Sequence, residues 1–136
     1  MYIRGMSEDK NVEGLHYLKW SDFDCPHQEG SGYKFMEKEP VFILEKAITM
    51  TTLLPTKITL AYVSPQYAST LCLEEDSSHR IGRAIEFTCA THKSMMLFVA
   101  ALCSLGVRRM RLSPKTIYFD TDHKFRGESL EILFKC

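Results

Sequence analysis

Apolar residues recur at helical spacing in two segments of the chain. The first opens at Pro40, a residue that fits the first turn of a helix, and it predicts a helix over residues 40–53. The second follows Thr91, a favourable N-cap, and stops at Gly106, so that it predicts a helix over residues 92–105. We expect each apolar stripe to face a core. The positions that form the stripes are Val41, Leu44, Ile48, Met95, Met96, Phe98, Val99, Leu102 and Cys103.

Four other segments alternate between apolar and polar residues, as strands with one buried face do. They predict strands over residues 56–63, 84–89, 107–112 and 116–120. Ser113-Pro114-Lys115 predicts a hairpin turn between the last two. The alternation places Glu86 and Thr88 on the face opposite to the apolar residues of their strand. Residues 21–32 and 64–78 have no period and predict loops.

The order of these elements indicates the fold class. Helices and strands are mixed without βαβ regularity, which predicts an α+β domain with a small antiparallel sheet packed against helices. Residues 1–14 are polar and aperiodic and predict a flexible N-terminal arm, so residues 15–136 form a single domain. Apolar residues of the tail are expected either to pack on this sheet or to anchor a partner. They are Leu130, Ile132, Leu133 and Phe134.

Composition narrows the classes of partner. Seventeen Lys and Arg balance seventeen Asp and Glu, so no global field attracts nucleic acid or an anionic membrane. No apolar run approaches the ~20 residues of a membrane span, and the N-terminus has no apolar signal core, which predicts cytoplasmic synthesis. Arg109 and Arg111 share one face of their strand while Arg108 points away, so a solvated hairpin is expected there and not a nucleic-acid contact.

Five cysteines lie far apart and never form a C-x-x-C pair. This spacing indicates reduced thiols and neither a disulfide framework nor a metal knuckle. The residues are Cys25, Cys72, Cys89, Cys103 and Cys136.

One motif carries a resemblance to a known family. Ser77-x-His79-x-x-Gly82-x-Ala84-x-Glu86 resembles the S-x-H-x-x-G-x-A-x-D signature of the zinc D-alanyl-D-alanine peptidases, a cell-wall family that includes phage endolysins. Residues 58–64 fall where that family has I-T-S-G-Y-R-S, and residues 117–121 fall where it has a hydrophobic-H-V-D strand. The likeness extends from about Trp20 to Arg126 and implies the fold of that family.

The resemblance also implies a zinc site, which this chain keeps only in part. His79 matches the first metal ligand, and Glu86 stands where the family has aspartate. Tyr118 occupies the place of the third ligand, a histidine, and a phenol with a pKa near 10 is a poor zinc ligand at neutral pH. Asp120 or His123 is an alternative third ligand. We therefore expect no cofactor, or zinc if such a substitute completes the site.

The substrate positions of the family are changed as well. Val63 stands at the place of an arginine that holds substrate, and it offers no charged hydrogen bond. Tyr62 beside it is retained, so Tyr62, Val63 and Tyr118 form the expected remnant of the pocket. The commoner role of a histidine at such a place is structural, and here His79 would hydrogen-bond Glu86 and hold its loop to the strand.

Two functional hypotheses follow from these changes. The first is a catalytically inactive peptidase-like domain, repurposed for binding or assembly in a phage or virion, with another protein subunit or peptidoglycan as its partner. The alternative is an active zinc-dependent peptidoglycan peptidase with His79 and Glu86 as ligands and Asp120 orienting the remaining site.

Overall fold

The computed structural model describes residues 15–74, 77–122 and 130–134, and the arm predicted over residues 1–14 lies outside them. Within the described residues the chain forms four α-helices, two short 3-10 helices and five strands. The α-helices are α1 (Ser31–Phe35), α2 (Lys38–Thr51), α3 (Pro65–Thr70) and α4 (His92–Ser104). The 3-10 helices are Trp20–Phe23 and Ser78–Ile81. The strands are β1 (Lys57–Leu60), β2 (Ala84–Thr88), β3 (Arg109–Leu112), β4 (Thr116–Asp120) and β5 (Glu131–Phe134).

The two long helices confirm the periodicity. Helix α2 begins two residues before the predicted start, and helix α4 begins where Thr91 Oγ1 accepts a hydrogen bond from the Ser94 amide at 3.0 Å. Gly106 follows α4 with a φ of 94°, a left-handed conformation that glycine adopts without strain.

The prediction of loops was wrong at two places. Helix α3 lies inside the predicted loop 64–78, because Ser64 caps it by accepting from the Tyr67 amide at 3.3 Å and Pro65 fits its first turn. Helix α1 begins inside the predicted loop 21–32. Both helices are too short to show an apolar period.

The five strands form one sheet in the order β1-β2-β4-β3-β5. The three pairings among β1 to β4 are not all sequential, but each is antiparallel, as predicted. Strand β5 is the exception, since it runs parallel to β3 at the edge of the sheet. Asp120 at the end of β4 and Glu131 at the start of β5 both lie beside Arg109, on the two sides of β3. The protein is thus mixed α and β with a mixed sheet, and the expected all-antiparallel sheet was wrong at this strand.

One face of the sheet packs against α2 and α4. Phe87 of β2 contacts Phe98 of α4 and Phe119 of β4, with ring centroids 5.2 and 6.4 Å apart. The predicted alternation of β2 is confirmed, because Ile85 and Phe87 are fully buried while Glu86 is only half-buried. The opposite face therefore carries the polar residues.

The start of the described chain and the tail are attached differently. Buried Glu45 of α2 accepts hydrogen bonds from the backbone amides of residues 16–18 at 2.8–3.1 Å. In β5, Ile132 packs against the core, whereas Phe134 is 77 % exposed. The packing of Ile132 agrees with the expectation that the tail lies on the sheet, and the anchoring of a partner stays a prediction. No helix among the described residues has the length and apolarity needed to cross a membrane.

Candidate functional site

Five side chains form a row across the polar face of the sheet, one from each strand. In order across the sheet they are Leu60, Glu86, Tyr118, Arg111 and Leu133. Side chains directly opposite on neighbouring strands lie close enough to interact. The sheet therefore places a carboxylate, a phenol and a guanidinium side by side.

His79 is held over this row by the extended backbone that follows β1. Its ring Nδ1 lies 2.8 Å from the carbonyl oxygen of Ala61, and its own carbonyl accepts from the Val63 amide at 3.2 Å. The 3-10 helix that carries His79 is capped by Ser77 and ends at Gly82, whose φ is 70°. A β-carbon at Gly82 would overlap the backbone of Phe35, so this turn requires glycine for both reasons.

The environment of His79 keeps its imidazole neutral. Burial lowers the pKa of His79 from the ordinary 6.5, while the Ala61 hydrogen bond and the charge of Glu86 oppose this shift and Arg111 adds to it. Because a carbonyl oxygen only accepts, the proton of the neutral ring lies on Nδ1. Nε2 then carries a lone pair, and His79 lines the cleft described below.

Tyr118, Asp120 and Arg109 form a connected polar network beside His79. The Tyr118 hydroxyl donates to Asp120 Oδ2 at 2.7 Å, and the Arg109 guanidinium lies 3.4 Å from the same oxygen. Burial, then the charge of Asp120, raise the pKa of Tyr118 well above 10, so its hydroxyl stays protonated and donates. The side chain of Asp120 is 1 % exposed, and its charge is balanced by Arg109. Next to this network, Ser78 Oγ donates to buried Asp122 at 2.8 Å.

The first four residues of the row, from Leu60 to Arg111, and the His79 turn line a polar cleft of about 510 Å³. Arg111 lies on its floor with its guanidinium carbon 4.9 Å from the centre of the Tyr118 ring, a cation–π contact. Glu86 also lines the cleft, and its Oε1 accepts from Thr59 Oγ1 at 2.9 Å. Cys72 lies at the cleft as an exposed free thiol. The cleft is also lined by Arg109 and Glu74, so it combines two guanidinium groups, two carboxylates and a neutral histidine.

The structure brings several predicted site residues together. His79, Glu86 and Tyr118 all line the cleft, and Asp120 lies behind Tyr118. His79 does hold its turn by a hydrogen bond, but its partner is the Ala61 carbonyl in the extended backbone after β1 and not Glu86 as expected.

Other predicted residues lie elsewhere. Val63 is fully buried and Tyr62 stacks on Phe35 at 4.9 Å, so neither is among the residues that line the cleft. His123 lies outside the described residues.

The sequence interpretation missed the arginines. It predicted a solvated hairpin, which holds for exposed Arg108, whereas Arg109 and Arg111 both line the cleft and Arg109 also balances a buried carboxylate. The signal was the period of two that places Arg109 and Arg111 on the polar face. Which of the two is paired depends on the neighbouring strands.

The described donors do not fit a catalytic zinc ion, which needs three ligands and an open position. Among residues 15–74, 77–122 and 130–134, no three His, Cys, Asp or Glu side chains are grouped to hold a metal. His79 and Glu86 are available, but Asp120 is occupied by Tyr118 and Arg109. The charge of Arg111 on the cleft floor also opposes a divalent cation.

Comparison with known proteins identifies no family for the chain. No protein-family profile, curated protein or solved structure matches it at a significant level. The motif around His79 therefore remains a resemblance.

Proposed function

We propose that the chain is a catalytically inactive, peptidase-like domain that has been repurposed for binding or assembly, as a component of a phage or other virion. The resemblance of the motif to the D-alanyl-D-alanine peptidases supports the origin of the domain. The Tyr118–Asp120–Arg109 network is the observation that supports the loss of catalysis. In it Tyr118, at the place of the third ligand in the resembled family, donates a hydrogen bond, and the carboxylate that accepts it, Asp120, is paired with Arg109.

The partner in this proposal is peptidoglycan or another protein subunit. A polar cleft of this size is suited to a small group presented by a larger molecule. Its neutral histidine, its arginines and its glutamates are binding groups that need no metal.

A second candidate is the active zinc-dependent peptidoglycan peptidase. One observation favours it. His79 donates Nδ1–H to a backbone carbonyl and so has a lone pair on Nε2, an arrangement that metal-binding histidines commonly have. In this case His79 and Glu86 would be ligands, and Asp120 or His123 would complete the donor set.

Zinc content separates the two candidates. The purified chain is incubated with zinc, desalted and analysed for metal beside His79→Ala and the control His92→Ala, which changes an exposed histidine outside the cleft. The inactive domain predicts much less than one zinc in all three and no zinc-dependent release of D-alanine from a peptide that ends in D-alanyl-D-alanine.

The active peptidase predicts about one zinc per chain in the parent and in His92→Ala, loss in His79→Ala, and hydrolysis that follows the metal. That result would overturn the proposal. Cosedimentation with purified peptidoglycan then tests the binding role. Retention of the folded chain, reduced by cleft variants, supports peptidoglycan as the partner, and no retention assigns the role to a protein subunit.

A further inference from the structure

Two arginines on the same face of β3 have different neighbours. Arg109 lies between Asp120 and Glu131, and its guanidinium is 3.4 Å from a carboxylate oxygen of each. Arg111 lies between Tyr118 and Leu133, which carry no negative charge at neutral pH. The strand pairing therefore neutralises Arg109 and leaves Arg111 without a cross-strand carboxylate.

The Arg111 side chain is held by stacking on an aromatic ring, which leaves its N–H donors free to bind a ligand. Its guanidinium lies over the ring of Tyr118, and such stacking holds the plane of the group without using its N–H donors. Arg111 is exposed to the cleft and forms no ion pair with any residue in the described ranges. A guanidinium with free donors matches the two oxygens of a carboxylate or phosphate.

His79 adds a hydrogen-bond acceptor to the same cleft. Only 4 % of this residue is exposed, and its Nε2 makes no hydrogen bond within the part of the chain that the structure describes. Nε2 is not among the buried side-chain atoms that lack a partner, so it is open to the cleft and can accept a hydrogen bond from a molecule that enters it. The acceptor lines the same cleft as Arg111.

The carboxylate of Glu86 limits the kind of ligand further. It lies two strands from Arg111 in the row, a separation of about 10 Å between the backbones, with Tyr118 between them. Glu74 lines the cleft as well, and two carboxylates disfavour a molecule that carries only negative charge. They favour one that has an amine or another hydrogen-bond donor at its second end.

We infer that the cleft binds a small molecule, or the end of a chain, that carries an oxyanion and a hydrogen-bond donor. The oxyanion pairs with Arg111, and the donor reaches His79 Nε2 or Glu86. This inference rests on the proposed binding role and names the ligand chemistry for it. A carboxylate and a phosphate monoester share the chemistry that Arg111 recognises, and the test distinguishes them.

The test uses two zwitterionic probes, each compared with a counterpart that keeps the amine and lacks the oxyanion. Glycylglycine supplies a carboxylate and an amine, and glycylglycinamide lacks the carboxylate; phosphoethanolamine supplies a phosphate and an amine, and ethanolamine lacks the phosphate. Binding to the full chain is measured from amide shifts in two-dimensional NMR. We expect shifts at residues 116–118 with at least one zwitterion, and at least about tenfold weaker binding of its counterpart.

The variants Arg111→Gln and Arg108→Gln remove the same charge inside and outside the cleft. Arg111→Gln should weaken binding at least about tenfold, and Arg108→Gln should leave it unchanged. Binding of glycylglycine alone identifies a carboxylate ligand, and binding of phosphoethanolamine alone identifies a phosphate ester. The inference is overturned if neither zwitterion binds better than its counterpart, or if Arg111→Gln binds as tightly as the parent.

A second measurement avoids the variants altogether. Cys72 is exposed at the cleft, so alkylation of this residue, located by mass spectrometry, reports occupation of the cleft in the unchanged chain. The zwitterion that binds should slow the reaction and its counterpart should not; equal rates contradict the inference. Failure of the proposed function and failure of this inference can be told apart. The first appears as bound zinc and zinc-dependent hydrolysis, and the second appears as zwitterions that bind no better than their counterparts.

Discussion

The two arginines of β3 allow a matched test of the network beside the cleft. Arg109→Met and Arg111→Met make the same change on the same strand face, two residues apart. The first removes the guanidinium that lies 3.4 Å from the carboxylate of Asp120, whose side chain is 1 % exposed. The second removes only a stacking contact with Tyr118.

The expected losses of stability follow from burial. At an effective dielectric constant of 20, a pair of charges 3.4 Å apart attracts by about 5 kcal/mol before desolvation is counted. Removing one partner of a buried pair costs about 3–5 kcal/mol, and the 18 % exposure of Arg109 favours the lower end. We therefore expect Arg109→Met to lower the free energy of unfolding by about 3 kcal/mol and the melting temperature by roughly 10 °C. Arg111→Met should cost no more than about 1 kcal/mol.

Urea unfolding at neutral pH, followed by circular dichroism, measures both losses. A double variant adds a check, because Asp120→Asn in the Arg109→Met background removes the unbalanced charge and should recover part of the loss. Equal losses for the two single variants would refute the assignment of Arg109 as the partner of Asp120. So would a further loss of stability on adding Asp120→Asn.

Three further results are expected. Gly82→Ala should destabilise the chain by clearly more than Gly106→Ala. A left-handed backbone costs alanine about 1–2 kcal/mol at either position, but only at Gly82 would the added β-carbon also overlap another segment. Equal losses of the free energy of unfolding in urea would contradict this. The pKa of His79 is lowered in the folded chain, so the unfolded chain takes up this proton at a higher pH than the folded chain does. The free energy of unfolding should therefore fall as the pH drops through 6.5, by up to about 1.4 kcal/mol per pH unit. This pH dependence should vanish in His79→Gln. Iodoacetamide should modify Cys72 in the native chain but Cys89 only after unfolding, because burial raises the pKa of the Cys89 thiol to about 11; mass mapping that finds early modification of Cys89 contradicts this.

The long helices and the faces of the strands were predictable because their signals are local. Thr91 and Gly106 mark the ends of α4 through bonds and angles within one turn of the chain. The period of two in β2 separates Glu86 from its apolar neighbours wherever the strand lies. The short helices were missed because one or two turns show no period.

The direction of β5 and the partners of the arginines required the sheet. Strand β5 is next to β3 and not to β4, and no local pattern encodes a pairing between strands that do not follow one another in the sequence. The same pairing adds Glu131 beside Arg109 and Leu133 beside Arg111. Residues that the sequence presents as equivalent therefore differ in charge balance.

By itself the sequence determined the long helices, the polar face of the sheet and the residues of the histidine motif, since these depend on residue type and spacing along the chain. Only the tertiary structure decided that His79 bonds Ala61, that Asp120 is balanced by Arg109, and that Arg111 remains available in the cleft. The physical reason is that hydrogen bonds and ion pairs act over a few ångströms in space, and the order of strands in the sheet sets which side chains come that close.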